Sequence, residues 1–406
     1  YLASMKVCGL DVHKDSIFCA IYDGKKYSEV KEFSTMVPSI CSMGSYLLSE
    51  KVEKVAMEST SIYWMPVWNV LSDMGLELML VNPFLIKQMP GRKSDVKDAQ
   101  WIATLLYKDM LRGSLIPDER QRQLRDYSRK YTKLQQKKTR LLQEMDRILV
   151  MGGYRISSCV SHTDGKSFLS VVDALIGGVT DPEALQKLVY ASRENKKSGR
   201  LKAALSGRLT ESQQDILAFA KQDFDLTCSQ IEACLKKMES ICEESYARQF
   251  ELLKTIPGVG KIAAMTILAE IGADVEAFAD SGRLTGWAGL RPRNDESAGK
   301  YKSTAVTKGN TYIRSILVQS AWAASRIKGG FFQNKFSRLV VRKSSKKAIV
   351  AIARKILVII WHVLKDGKTY NPELVHIPNP NKLSAQRDYH LKQLEKINRQ
   401  LDACQA

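Results

Sequence analysis

Met5-Lys-Val-Cys-Gly-Leu-Asp-Val-His-Lys-Asp-Ser-Ile-Phe-Cys-Ala-Ile-Tyr22 is the stretch from which the rest of the chain can be read. Lys6 to Val12 is apolar up to an acid, Asp11, and reads as a buried strand. Ser16 to Tyr22 reads as a second strand, joined to the first by a short turn. Tyr27 to Phe33 is expected to form a third. Helix and strand signals then alternate: a helix over Ser39 to Leu48, a strand over Val52 to Met57 and a helix over Ile62 to Met74. A strand over Leu76 to Val81 and a helix over Asp95 to Tyr107 complete the series.

A three-strand meander followed by alternating helices and strands is the order of a ribonuclease H-like sheet. The later strands need helical crossovers and therefore pair in parallel. On such a sheet Asp11 ends the first strand and Glu58 the fourth, so both stand at one edge. Asp95 and Asp98 are three apart on a helix and share a face that can lie against that edge. Clustered carboxylates repel one another unless a cation sits among them. Mg²⁺ prefers oxygen ligands, and a pair of such ions can clamp the attacking and leaving oxygens of a phosphoryl transfer. Singly, each acid reads as readily as a turn residue, a cap or a solvated face. His13 and Lys14 read either as phosphate contacts or as surface residues.

The remaining 300-odd residues are of different character. Leu124, Tyr127, Tyr131, Leu134, Lys138, Leu141, Met145 and Ile148 are spaced alternately by three and four, a coiled-coil seam with one polar interruption. A second long helical pattern runs from about Gln213 to Leu253. Between them, residues 152–207 are less periodic, so a long helical hairpin with an inserted segment is expected, a packed bundle being the plainer alternative. The seam also points to self-association as a dimer or tetramer. Near the end, Leu391, Leu394, Ile397 and Leu401 repeat at helical spacing after a loop around Pro378 and Pro380, as a docking or oligomer element would.

The chain of 406 residues carries a net charge of +19, which favours a polyanionic partner. From Ser281 to Lys347 there are 15 Lys/Arg against two acids, so the charge is a patch. The most apolar stretch, Ala348 to Leu364, has Arg354 and Lys355 at its centre, which argues against a membrane span. The eight cysteines form no CxxC pair, so neither zinc sites nor a disulfide framework is expected and reduced thiols in the cytoplasm are the plain reading. The chain reads as beginning at Met5, without a signal peptide.

Ile256-Pro-Gly-Val-Gly-Lys261, between two helical patterns, resembles a helix-hairpin-helix loop. There Gly258 and Gly260 would let the backbone approach a phosphate and Lys261 would add charge. Downstream, Arg291, Arg293, Lys300, Lys302, Lys308 and Arg314 surround Glu296-Ser-Ala-Gly-Lys300. Ser297 reads as a turn or phosphate-contact residue, or as a nucleophile if a metal-bound hydroxide, Glu296 or a second protomer takes its proton.

Together, Gly9-Leu-Asp-Val-His-Lys14, Met57-Glu-Ser-Thr60, Lys93-Ser-Asp-Val-Lys-Asp98, the IPGVG loop and Glu296-Ser-Ala-Gly-Lys300 resemble the DEDD insertion-sequence transposases related to the Piv DNA invertase. The resemblance covers roughly residues 5–110 and 250–325. It implies a RuvC-like ribonuclease H domain, a coiled-coil hairpin and a mainly helical transposase domain with helix-hairpin-helix. The expected boundaries are 5–115, 116–250 with its insertion, 251–347 and a C-terminal helical extension over 348–406. It assigns Asp11, Glu58, Asp95 and Asp98 to Mg²⁺ and Ser297 to covalent catalysis through a phosphoserine, with Ser281 as the fallback. It further implies a composite site shared between protomers, donor and target DNA, and a structured guide RNA, the bridge RNA, in a prokaryotic cytoplasm at the nucleoid. The insertion at 152–207 and the tail beyond Lys347 depart from shorter members. A junction resolvase-like nuclease using the acids alone, and a catalytically silent nucleic-acid scaffold, are the rival readings.

Overall fold

The computed structural model describes residues 5–59, 61–82, 95–114, 116–190, 199–292, 295–297, 300–303, 305–375, 384, 387–391, 393–395 and 397–398. These fall into two compact units, Tyr1–Pro117 and Asp118–Ala406.

In the first unit, strands β1 (Val7–Val12), β2 (Ser16–Tyr22) and β3 (Lys31–Ser34) form an antiparallel meander. Helices α1 (Val37–Ser49) and α2 (Trp64–Asp73) alternate with β4 (Lys54–Glu58) and β5 (Glu77–Val81), and α3 (Asp95–Tyr107) follows. The sheet order is β3-β2-β1-β4-β5, with β4 parallel to both β1 and β5. The central strands β1 and β4 are buried on both faces because helices cover both, whereas the edge strand β3 is polar and exposed. On one face Leu10, Ile17, Ile40, Leu47, Met57 and Leu71 share a core; on the other Val7, Ala56 and Val81 pack against Ile102 and Leu106. The third strand is shorter than Tyr27 to Phe33. Asp23 accepts from the backbone N–H groups of Lys25 and Lys26, and Tyr27 bridges back to Tyr22, so the ladder resumes only at Lys31.

The second unit opens with α4 (Glu119–Met151), whose N-cap Asp118 accepts from the Gln121 N–H. A short 3₁₀ turn (Ile156–Ser158) and helices α5 (Lys166–Ile176), α6 (Pro182–Lys187) and α7 (Arg200–Ala204) follow, and then α8 (Glu211–Ser245) returns. Thr210 and Gln213 start α8 with a capping box. Arg120 lies near Glu244, Lys137 near Asp223, and the Lys138 ammonium lies over the Phe224 ring, so α4 and α8 run antiparallel along their length. The seam residues Leu124, Leu134, Leu141, Met145 and Ile148 are buried against α8 and its neighbours. The seam is therefore covered within the chain, along α8. The inserted segment is a small core of its own, with Phe168, Val172, Leu185 and Leu201 packed on the hairpin's far end.

The second helical pattern breaks at Tyr246. Helices α9 (Ala247–Lys254), α10 (Lys261–Ile271) and α11 (Ser281–Trp287) follow, and then a hairpin of β6 (Asp295–Ser297) and β7 (Lys300–Ser303). After it come α12 (Thr311–Ser325), α13 (Phe331–Val340), α14 (Ser345–Asp366) and the short α15 (Pro372–Val375). Leu253, Leu268, Leu317, Ile352 and Leu357 lie in one core, so the division expected at 347 falls inside α14, and α14 belongs with the helices before it. Around Tyr389 the described residues are helical, and Leu391, Leu394 and Ile397 are exposed. Pro378, Pro380 and Leu401, like Tyr1 to Ser4, lie outside the described residues. Among the described residues no helix is long and apolar enough to cross a membrane.

Candidate functional site

β1 and β4 pair as far as Leu10 opposite Met57, so the next residues, Asp11 and Glu58, stand side by side at the same sheet edge. Both are buried, at 5% and 8% exposure. Asp95 and Asp98 occupy the first turn of α3, where the helix dipole favours negative charge. Burial pushes the Asp11 carboxyl from 3.8 up to about 6, against the pull of His13 and with the push of Glu58, Asp98 and Asp95. All four acids foreseen from the sequence therefore share one electrostatic neighbourhood. Lys93 and Ser94 of the same motif lie outside the described residues.

His13 is the addition. Its Nε2 lies 3.1 Å from Asp11 Oδ2 and 3.6 Å from Asp95 Oδ1. One donor atom each from Asp11, His13 and Asp95 lie within 4.8 Å of one another, close enough to hold one metal ion. A buried carboxylate pushed up by three other acids is the environment a hard divalent cation relieves. The residues fit such an ion, with Glu58 and Asp98 as further oxygen donors and His13 as a ligand or as the hydrogen-bond partner that orients Asp11.

Gly9 sets the distance between the two carboxylate-bearing elements, and nothing in the sequence marked it for this. A Cβ there would meet the Ala99 carbonyl oxygen at 2.2 Å and the Ala103 nitrogen at 2.5 Å, so α3 lies directly on the β1 backbone. Gly9→Ala is expected to lift α3 and carry Asp95 and Asp98 away from Asp11. The cost is about 1–3 kcal/mol of stability, with a weaker response to divalent cation. Paired melting curves with and without Mn²⁺ check this; an undiminished metal-induced shift in the variant refutes it.

In the second unit the IPGVG loop joins α9 to α10. Gly258 has φ +84°, and a Cβ there would meet the Ser320 carbonyl oxygen at 2.3 Å. The missing side chain thus lets α12 pack directly against the loop, and Gly258 also lines a groove shared with Gly260 and Lys261. Gly260, the residue before α10, faces open space, and Lys261 is paired with Glu239. Arg291 and Lys308 are exposed and Arg314 is half-buried. Ser297 pairs with Lys300 in the β6–β7 hairpin, with Lys302 also on β7. The side chains of Ser297, Lys300 and Lys302, and all of Arg293, lie outside the described residues. Ser281, the fallback, begins α11 next to the N-cap Asp280.

With this geometry in place, a DEDD-type IS110 transposase family model matches residues 8–151, and one for transposases of the IS116/IS110/IS902 family matches residues 250–336. The chain is similar to the transposase for insertion sequence element IS1111A of Coxiella burnetii, 23% identical over 91% of this chain and 92% of that protein. It is also similar to the pilin gene-inverting protein of Moraxella bovis, 30% identical over 33% of this chain and 42% of that protein. Among solved structures, Thermus thermophilus RuvC in complex with a Holliday junction substrate aligns with 27% of this chain and 99% of its own length, at 15% identity and a TM-score of 0.22.

Proposed function

Because this chain belongs to the IS110-type family of DEDD transposases, we propose that it excises and inserts a mobile DNA element through a covalent phosphoserine on Ser297. The convergence of Asp11, Glu58, Asp95 and Asp98 at one sheet edge carries this reading. A divalent cation, Mg²⁺ in this proposal, would supply Lewis-acid stabilisation of the charge on the phosphoryl oxygens. The four carboxylates would hold it, with His13 keeping Asp11 aimed. The Ser297 hydroxyl attacks phosphorus and gives up its proton, the P–O bond to the deoxyribose breaks, and the departing sugar oxygen takes up a proton in its place. Rejoining is the reverse attack by another strand's hydroxyl, so strand exchange needs no outside energy source. Donor and target DNA are the substrates, and a structured guide RNA and a second or fourth protomer complete the assembly. The basic patch on Gly260, Lys261, Arg291, Arg293, Lys300, Lys302, Lys308 and Arg314 would take the phosphates, at the nucleoid of a prokaryotic cell.

A metal-only nuclease of the junction-resolving kind is the second reading, favoured by the fact that the acids are all within the first unit. A denaturing gel separates the two. Wild-type protein with Mg²⁺, guide RNA and labelled DNA is expected to give a protein–DNA adduct that survives denaturation and is absent with Ser297→Ala. Equal cleavage by both proteins with no adduct establishes the nuclease instead.

A further inference from the structure

The base of the Ser297 hairpin is built from two backbone segments locked together. A Cβ on Gly309 would meet the Gly289 nitrogen at 2.3 Å and the Trp287 carbonyl oxygen at 2.5 Å. The Asn310 N–H donates to the Trp287 carbonyl at 3.2 Å and the Thr307 N–H to the Arg291 carbonyl at 3.0 Å. A cavity of about 620 Å³ opens here, between Trp287, Lys308, Arg129 and Tyr312. Trp287 is the most exposed of the six tryptophans, at 38%, although exposing an indole forfeits apolar burial. Phe278 braces it at 5.4 Å between ring centroids. The Arg129 guanidinium lies over the Tyr312 ring at 4.8 Å, and Lys308 is exposed. The nearby acid, Glu270, is buried and already accepts two hydrogen bonds from Arg129, so the cavity presents planar surfaces and positive charge. Thr311 and Tyr312 also line a groove of about 1000 Å³ that continues to Gly260 and Lys261.

We propose that this cavity is a stacking site for an unpaired base of the DNA strand carried to Ser297, with Trp287 as the platform and Lys308 on the adjoining phosphate. The inference rests on the recombinase reading above and adds to it the recognition of single-stranded substrate. An aromatic face accepts any base, and an ammonium beside it takes the phosphate, which is how sequence-tolerant single-strand sites are built. A paired base has its faces covered by its neighbours and cannot use such a platform. Strand exchange must unpair bases next to the cut, and Trp287 and Lys308 of the cavity lie on the two segments that lead into and out of the serine hairpin.

The test measures anisotropy of a labelled DNA oligonucleotide, single-stranded and as its duplex, with the full-length protein as wild type, Trp287→Ala and Trp287→Phe. Trp287→Ala is expected to lower the ratio of single-strand to duplex affinity about 5- to 150-fold, the range set by one lost base–aromatic stack. Trp287→Phe is expected to recover most of it. An unchanged ratio in Trp287→Ala, with wild type still binding DNA, overturns the proposal and leaves the recombinase reading standing. A Phe variant as weak as the Ala variant makes Trp287 a packing residue and also overturns it. So does a loss confined to an RNA oligonucleotide of the same sequence. Wild-type protein that binds none of these probes overturns the recombinase reading itself.

Discussion

Asp11→Asn is expected to make the metal-free protein more stable and, in the same step, to abolish the divalent-cation response and the strand cleavage proposed above. The carboxyl sits 5% exposed among three other acids, and burial with their help holds its folded pKa at about 6, above the ordinary 3.8. The sign follows from proton counting. Between those two values the folded chain binds more protons at this position than the unfolded chain, so stability falls as pH rises through the window and the whole penalty is present above it. Two pKa units correspond to a penalty on the order of 3 kcal/mol at neutral pH. The neutral amide of Asn removes that penalty, so the metal-free variant should melt higher than wild type at pH 7.5, and the two should converge near pH 4. A bound cation acts the other way: at a hundredfold excess over its Kd it stabilises wild type by about 2.7 kcal/mol. Only wild type should show that gain, because the variant lacks a negative oxygen at the centre of the cluster. The measurement is a pH series of melting curves in chelator and in Mg²⁺ or Mn²⁺. A metal-free Asp11→Asn protein no more stable than wild type, still shifted by cation, would show that the four acids do not form the site.

The acids were legible in the sequence because each obeys a local rule that topology then enforces. A continuous apolar run reaching Asp11, a second ending in Glu58, and Asp95 and Asp98 one turn apart are all visible within a dozen residues. Gly9 was not legible: a glycine in a strand reads as a weak point until α3, some 90 residues later, is laid across it. His13 was ambiguous for a similar reason, since its Asp95 contact depends on where α3 begins. The Leu124 to Ile148 seam was legible as an apolar face, one side of an expected hairpin and a pointer to self-association. A heptad states that a face is to be covered and not by which chain, and here α8 covers it. The division expected at 347 falls within one helix, because α14 runs from Ser345 to Asp366 and carries Arg354 and Lys355 beside the buried Ile352 and Ile356. The serine remains the least legible residue, because small residues flanked by basic ones serve turns and active sites alike.

Glu270→Ala is expected to be among the most damaging single changes in the second unit, in spite of lying in a helix with no role in the proposed chemistry. The Glu270 side chain is fully buried in α10 and accepts hydrogen bonds from Arg129 Nε at 2.9 Å and Nη2 at 3.0 Å. It also accepts from Asn310 Nδ2 at 2.6 Å, while Arg125 donates to the carbonyls of Ala269 and Glu270, both at 2.9 Å. One carboxylate thus ties α4 to the C-terminal end of α10 and to the N-cap of α12. Such a pair adds little over a well-packed apolar substitute, but removing one partner strands the other's charge, at about 3–5 kcal/mol. In a unit of this size that lowers the melting temperature by roughly 6–20 °C. Glu270→Gln keeps the shape and the acceptor for Asn310 while losing the charge-assisted fork to Arg129, so it should fall between wild type and Ala. Calorimetry of wild type, Glu270→Ala, Arg129→Ala and the double variant closes the cycle, and the double variant should be far less damaged than the sum of the single ones. Additive losses would mean that the fork contributes nothing beyond packing, and a Glu270→Ala protein melting within a degree of wild type would remove the argument altogether. The same fork fixes Arg129 against Tyr312, so its loss should also loosen one wall of the cavity beneath the serine hairpin and weaken single-strand binding even at temperatures where the variant remains folded.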